Sequence, residues 1–215
     1  MVYFYTSQPF PDSIPHQIIV GKDKFENDLL IKYGYRELNY TWFHADNYSS
    51  GHVYLKLLEK ENSVSDVSSE IVNDCLQLCK SESIQGNKLP QCSILITPWH
   101  NLRKNRFMKP GEVSFKSQRA CTKRDCFARD TKIMNRLNKT RVELYEDVEN
   151  ILHDAKKSKN PNYFTELIAN QRDELLESER LRKAEKKQNK KQQKKREEEW
   201  GEDIDSDEIS KLAAI

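Results

Sequence analysis

Few of the residue types that carry chemistry stand at spacings that let them act together. Gly21-Lys22-Asp23 resembles the end of a phosphate-binding loop. The upstream glycine of Gly-x4-Gly-Lys-Ser/Thr is missing, however, and Asp23 takes the place of the hydroxyl residue. Nucleotide hydrolysis is therefore not expected. His44, Asp46 and His52 sit close together, and two histidines on adjacent strands could ligate a metal. An eight-residue separation around a turn fits structural histidines better. Cys121-x4-Cys126 has no nearby His or Cys pair to complete a tetrahedral site. No nucleophile-and-base arrangement stands out. The expectation is a non-enzyme without cofactor or bound metal.

Charge, by contrast, is abundant and segregated. Residues 180–196 carry 10 basic side chains against 1 acidic, and residues 197–208 carry 8 acidic and no basic. Lys183, Lys187, Lys191 and Lys195 repeat every four residues, as do Lys186, Lys190 and Lys194. On a helix these are like charges at i, i+4, each pair costing about a few tenths of a kcal/mol. The segment needs either disorder or an anionic partner, and nucleic acid is the densest such partner. The apolar face of a membrane-surface helix is missing. The acidic block can compete for the same lysines, and Ser206 in Asp205-Ser206-Asp207-Glu208 is a phosphorylation candidate that would strengthen that competition.

A second basic stretch, residues 119–141, holds 8 basic and 2 acidic side chains. A helix predicted between Cys126 and Arg141 gathers Cys126, Phe127, Ile133, Met134 and Leu137 on one face. Arg129, Lys132, Arg136 and Lys139 fall on the other, which is either solvated or turned to phosphate.

The elements that would position these groups read as follows. Val2–Tyr5 and Gln17–Val20 are β-prone runs around a Pro-rich connection. Asp23 is a fair N-cap for a helix over Lys24–Tyr33 that ends at Gly34. Tyr40–His44 and His52–Leu58 are strand candidates joined by a turn-rich segment. The periodicity from Asp66 to Ser83 predicts an amphipathic helix packed on a sheet. Ser93–Thr97 and Glu112–Lys116 are further short strands. Asn160-Pro161 starts a second helical stretch over about residues 162–199, apolar on one side only in its first half.

With 215 residues, 36% hydrophobic and 33% charged, a single core spanning the chain is ruled out. Residues 1–118 carry 13 basic and 13 acidic side chains and hold enough apolar material for one modest core. The longest apolar run, Met1–Tyr5, is far short of the ~20 residues of a bilayer-spanning helix, and the N-terminus lacks the pattern of a signal peptide. No membrane span is expected. The five cysteines, an odd set, are expected to stay reduced in the cytoplasm. The expected organisation is an α/β core over 1–118, a basic amphipathic helix region closing it over 119–160, a long basic coiled-coil-like helix over 161–199, and a disordered acidic tail over 200–215.

Gly21-Lys22-Asp23-Lys24-x-Glu26-Asn27-Asp28-x-Leu30 followed by Trp42-Phe43-His44-x6-Gly51-His52-Val53 resembles the core signature of the NFACT-R RNA-binding domain. That domain also forms one part of the larger ribosome quality-control proteins of the nuclear export mediator factor group. Four further motifs resemble a stand-alone eukaryotic branch, the coiled-coil domain-containing protein 25 family. They are Val2-Tyr3-Phe4-Tyr5-Thr6-Ser7, Ser83-Ile84-Gln85-Gly86-x-Lys88, Thr97-Pro98-Trp99-x-Asn101-Leu102-x-Lys104 and Asn135-Arg136-Leu137-x-Lys139-Thr140-x-Val142-Glu143. The resemblance covers about residues 1–145. It implies a single α/β domain without the partner domains that extend nascent peptides, in a branch associated with nucleic-acid binding and, in some animal members, DNA sensing at membranes.

The resulting expectation is an α/β protein, a mixed sheet with packed helices, followed by a long charged helix and acidic tail. It would bind ribosomal RNA or tRNA at the ribosome. A DNA sensor, or a protein adaptor using Phe164, Ile168 and Leu175 of the long helix, is the alternative. The side chains expected to meet nucleic acid are Lys22, Lys24, His44, His52 and Lys104 in the core, then Arg129, Lys132, Arg136 and Lys139. Lys186, Lys187, Lys190, Lys191 and Lys194 follow in the long helix. Lys22 and Lys24 flank a helix start, whose free N–H groups would add to their charge.

Overall fold

The structure is a computed structural model that describes the backbone of residues 1–212 and the side chains of residues 1–197. Its contacts divide the chain into two units, residues 1–172 and 173–215. The expected acidic tail lies outside the residues described with their side chains.

Val2–Ser7 (β1) and His16–Gly21 (β2) pair as a hairpin, with Val2 opposite Gly21 and Ser7 opposite His16. Asp23 then caps Lys24–Tyr33 (α1) by accepting the N–H groups of Phe25 and Glu26. Tyr40–Ala45 (β3), Val53–Lys56 (β4), Ser69–Ser81 (α2, capped by Ser68) and Cys92–Pro98 (β5) follow. The predicted strand over 112–116 shrinks to Ser114–Phe115 (β7), which pairs with Leu102–Arg103 (β6) in a small separate hairpin.

Besides β6, two strands of the main sheet stand where the sequence predicts none. Thr122–Cys126 (β8) pairs with β5, and Val142–Leu144 (β9) pairs with β1. The helix drawn from Cys126 is thus corrected. It is Thr131–Thr140 (α3), started by Asp130 accepting from the N–H groups of Lys132 and Ile133. In β8 four exposed residues precede one buried cysteine, so no alternation marks it as a strand. Backbone pairing with β5 decides it. The main sheet has the order β8-β5-β3-β4-β2-β1-β9. Every pairing in it is antiparallel, where the sequence reading allowed a mixed sheet. Both edge strands come from beyond residue 118. Val148–Ser158 (α4) and Tyr163–Leu212 (α5) complete the element order.

Strand residues alternate between faces. Phe43, Ala45, Val53, Leu55, Ile94 and Ile96 turn to one side and meet Ile71, Val72, Cys75, Leu78 and Cys79 of α2 with Met134 and Leu137 of α3. Each of the buried Val, Leu, Ile, Phe and Met chains among them contributes about 1.5–3 kcal/mol. Phe4, Ile19, Tyr40, Trp42 and Tyr54, also buried, turn to the other side. On that side α1 packs on β2 and α4, and the Phe164 ring lies 6.1 Å from Phe4. No helix among the described residues is long and apolar enough to cross a membrane.

Candidate nucleic-acid interface

The second face of the sheet is only partly covered, and a cleft of about 840 Å³ opens on it. Its walls come from four places. They are the β2–α1 junction (Lys22, Lys24, Asn27), strand β3 (Trp42, His44), the β3–β4 turn through His52, and the β6–β7 hairpin (Met108, Gly111, Phe115), with Glu82 and Ile84 at one side. Two glycines make this geometry possible. A Cβ on Gly21 would stand 2.2 Å from Asn27 Oδ1. Gly111 has φ +87°, a conformation that suits glycine. Its N–H donates to Asp28 Oδ1 at 2.9 Å and its carbonyl accepts from His52 Nε2 at 3.2 Å.

A chain of rings runs along the cleft floor. His44 stacks on Trp42 at 5.4 Å and 9° between planes, and His52 stands edge-on to both, at 5.3 Å from Trp42 and 5.0 Å from His44. Phe115 lies 5.8 Å from Trp42, and beneath the cleft lining Tyr54 continues the chain to Trp99 at 4.3 Å. Trp42 and His52 are 1% exposed, whereas His44 is half-buried. Burial, and then the neighbouring His44, pushes the His52 pKa down to about 3. Burial also lowers that of His44. Both rings are therefore neutral near pH 7. Because a carbonyl only accepts, His52 carries its proton on Nε2, and Nδ1 is left as an acceptor. Among the described residues no group of three or more His, Cys, Asp or Glu is placed to hold a metal. The Nε2 of His52 is committed to Gly111, and its Nδ1 is buried without a partner.

The expected nucleic-acid residues separate into exposed cations and clamps. Lys22 and Lys24 are exposed at the cleft mouth, Lys24 lying 5.2 Å from the exposed Phe25 ring. The helix start beside them does not offer the free N–H groups anticipated, because Asp23 Oδ1 takes those of Phe25 and Glu26. Lys104 donates to Asp28 Oδ1 at 2.6 Å and to the Lys109 carbonyl at 2.8 Å, so it holds the hairpin loop. Arg136 reaches back 2.7 Å to Asp74, a fully buried carboxylate that also accepts from Ser7. Arg129, Lys132 and Lys139 are exposed, but α3 packs on β1 and α2, on the sheet face opposite the cleft. The turn that aims α3 is held from α2. Lys80 Nζ, buried, donates to the carbonyls of Leu89 and Phe127, while Gln77 bonds the Ala128 carbonyl and the Asp130 N–H.

Sequence reading missed the Trp42–His44 stack and the exposed apolar groups Ile84 and Phe107, the latter with the Arg106 guanidinium 4.8 Å from its ring. Only the ring types in Trp42-Phe43-His44 hinted at them. In the second unit Lys186, Lys187, Lys190, Lys191 and Lys194 lie on α5 and are exposed. The adaptor reading loses its aromatic anchor, since Phe164 is 2% exposed and its carbonyl accepts from Gln17.

Residues 1–117 match the family model of the NFACT protein RNA binding domain. Protein JLP2 of Saccharomyces cerevisiae is 66% identical over 187 residues, 87% of this chain and 90% of its own. Coiled-coil domain-containing protein 25 of Danio rerio is 43% identical over 148 residues, 69% of each chain. Among solved structures, the C-terminal of the fibronectin/fibrinogen-binding protein from Streptococcus suis is 18% identical with a TM-score of 0.49, over 65% of this chain and 48% of that one. The motifs of the first 145 residues, the α/β sheet they build and the 1–117 match lead to one assignment: the chain belongs to the NFACT RNA-binding-domain family, in the stand-alone branch of coiled-coil domain-containing protein 25.

Proposed function

We propose that this protein binds RNA at the ribosome or on tRNA, in the cytoplasm, without catalysing a reaction. The family domain supports RNA as the partner. The observation that carries an extended phosphate contact is the lysine register of α5. Lys186, Lys187, Lys190 and Lys191 are exposed, and among the described residues none of them is in an ion pair. Neutral solvated helices alternate Glu and Lys, whereas these rows relieve their repulsion only against a polyanion. A domain with a recognition cleft, continued in sequence by a phosphate-binding helix, suits a large structured RNA better than a small ligand.

Sedimentation on a sucrose gradient tests this reading. The tagged chain should travel with ribosomal fractions and return to the top after ribonuclease treatment. Slow sedimentation in both samples would remove the ribosome from the proposal. Ribonuclease-resistant co-migration would favour a protein partner, and equal retention by duplex DNA would favour the DNA reading.

A further inference from the structure

We propose that the cleft takes one unpaired nucleobase with an N–H-rich edge, guanine above all, as the third ring of the Trp42–His44 stack. This inference rests on the RNA-binding reading and adds what occupies the cleft.

Three observations carry it. First, Trp42 covers the His44 ring in parallel at 5.4 Å, and His44 is the half-exposed member of the pair. A planar base extends such a stack, because every base has a π-face. Second, Trp42 Nε1, His52 Nδ1 and Asn27 Oδ1 are buried without a hydrogen-bond partner. Their residues are 1%, 1% and 5% exposed and all line this one cleft. Among the described residues five further atoms share this condition at scattered places, and only here do three meet in one cleft; a buried polar group left so calls for a partner. Third, the walls hold the carboxylates Asp23, Glu82 and Glu112, and Asp46 paired with Lys123, against the ammonium groups of Lys22 and Lys24. That balance repels a phosphate from the interior. It suits a neutral ring that donates.

Of the three unpartnered atoms two accept, His52 Nδ1 and Asn27 Oδ1, and one donates, the Trp42 indole N–H. Guanine presents N1–H and the N2 amino group side by side, whereas uracil presents a single N–H between two carbonyls. A volume of about 840 Å³ admits a whole nucleotide, and Lys22 and Lys24 at the mouth meet the flanking phosphates. The cleft thus selects a base, while the lysines outside it hold the backbone without regard to sequence.

Fluorescence anisotropy of the full-length chain with three seven-nucleotide RNAs tests this: all uridine, the same strand with one central guanosine, and the same strand abasic at that position. The guanosine strand should bind about tenfold more tightly than the other two. His44→Ala, a substitution at a half-exposed site, should abolish that difference. The Trp42 indole N–H resonance, assigned with Trp42→Phe, should shift only on adding the guanosine strand. Equal binding of the three strands, or an unchanged guanosine preference in His44→Ala, would overturn the base pocket and leave RNA binding standing. Failure of all three strands and of ribosomal RNA to bind would overturn both.

Discussion

Lys104 Nζ lies 2.6 Å from Asp28 Oδ1, and the same oxygen accepts the Gly111 N–H. One carboxylate oxygen of α1 therefore fixes both ends of the loop that walls the cleft. Lys104 belongs to the sheet's second face as a clamp, with two of its ammonium protons already directed inward. Asp28→Ala should cost about 1–2 kcal/mol, the value of partly exposed charge-assisted bonds. Hydrogen exchange over residues 104–113 should accelerate while the rest of the sheet keeps its protection.

The Arg136–Asp74 pair behaves differently because Asp74 is completely buried. Arg136→Ala leaves that carboxylate with Ser7 alone, and a loss of about 2–4 kcal/mol in urea unfolding is expected. Asp74→Asn in the same background should recover most of it. Lys132→Ala and Lys139→Ala, at exposed positions of the same helix, should change stability by less than about 0.5 kcal/mol.

Acid should weaken the fold through His52. Its folded pKa, about 3, lies below the ordinary value of 6.5, so the unfolded chain binds the extra proton between those limits. The contribution is complete above about pH 6.5 and is lost as pH falls toward 3. From pH 7 to pH 5 this amounts to about 2 kcal/mol. His44 acts in the same direction. Denaturation of His52→Gln at the two pH values should show a shallower dependence than the parent, whatever its absolute stability.

Replacing Lys186, Lys187, Lys190 and Lys191 by Gln should weaken RNA binding and lower the slope of log K against log salt by about 3, four contacts at roughly 0.7 each. Thermal unfolding of residues 1–172 should not move. An unchanged salt slope would remove α5 from the phosphate interface.

Residues 1–172 are the fragment in which to isolate the domain's share of binding. A cut after residue 145 removes α4 and α5. With them go the contacts of Tyr33 to Glu149, of Lys56 to the Pro161 carbonyl and of Phe4 to Phe164. This fragment should prefer structured RNA to heparin. Lys22→Ala with Lys24→Ala should reduce its affinity about tenfold while circular dichroism stays the same, since both side chains are exposed. Equal binding by the double variant would place recognition elsewhere.

Local pattern by itself determined α1 with its Asp23 cap, α2, the central strands, the split of α3 into a buried face at Met134 and Leu137 and a basic face, and the lysine rows of α5. Each is decided by neighbours within a turn or two, through caps, periodicity and like-charge spacing. Tertiary structure decided which basic side chains stay exposed. Lys104 meets a partner 76 residues away, Arg136 one 62 away and His52 one 59 away. Spacing tells which way a side chain leaves its own element, and nothing about the carboxylate or carbonyl that another element brings to meet it. The same holds for β8 and β9. β8 is polar and β9 only three residues long, so neither carries a strand signal, and only the unpaired edges of β5 and β1, with backbone groups to satisfy, make them strands.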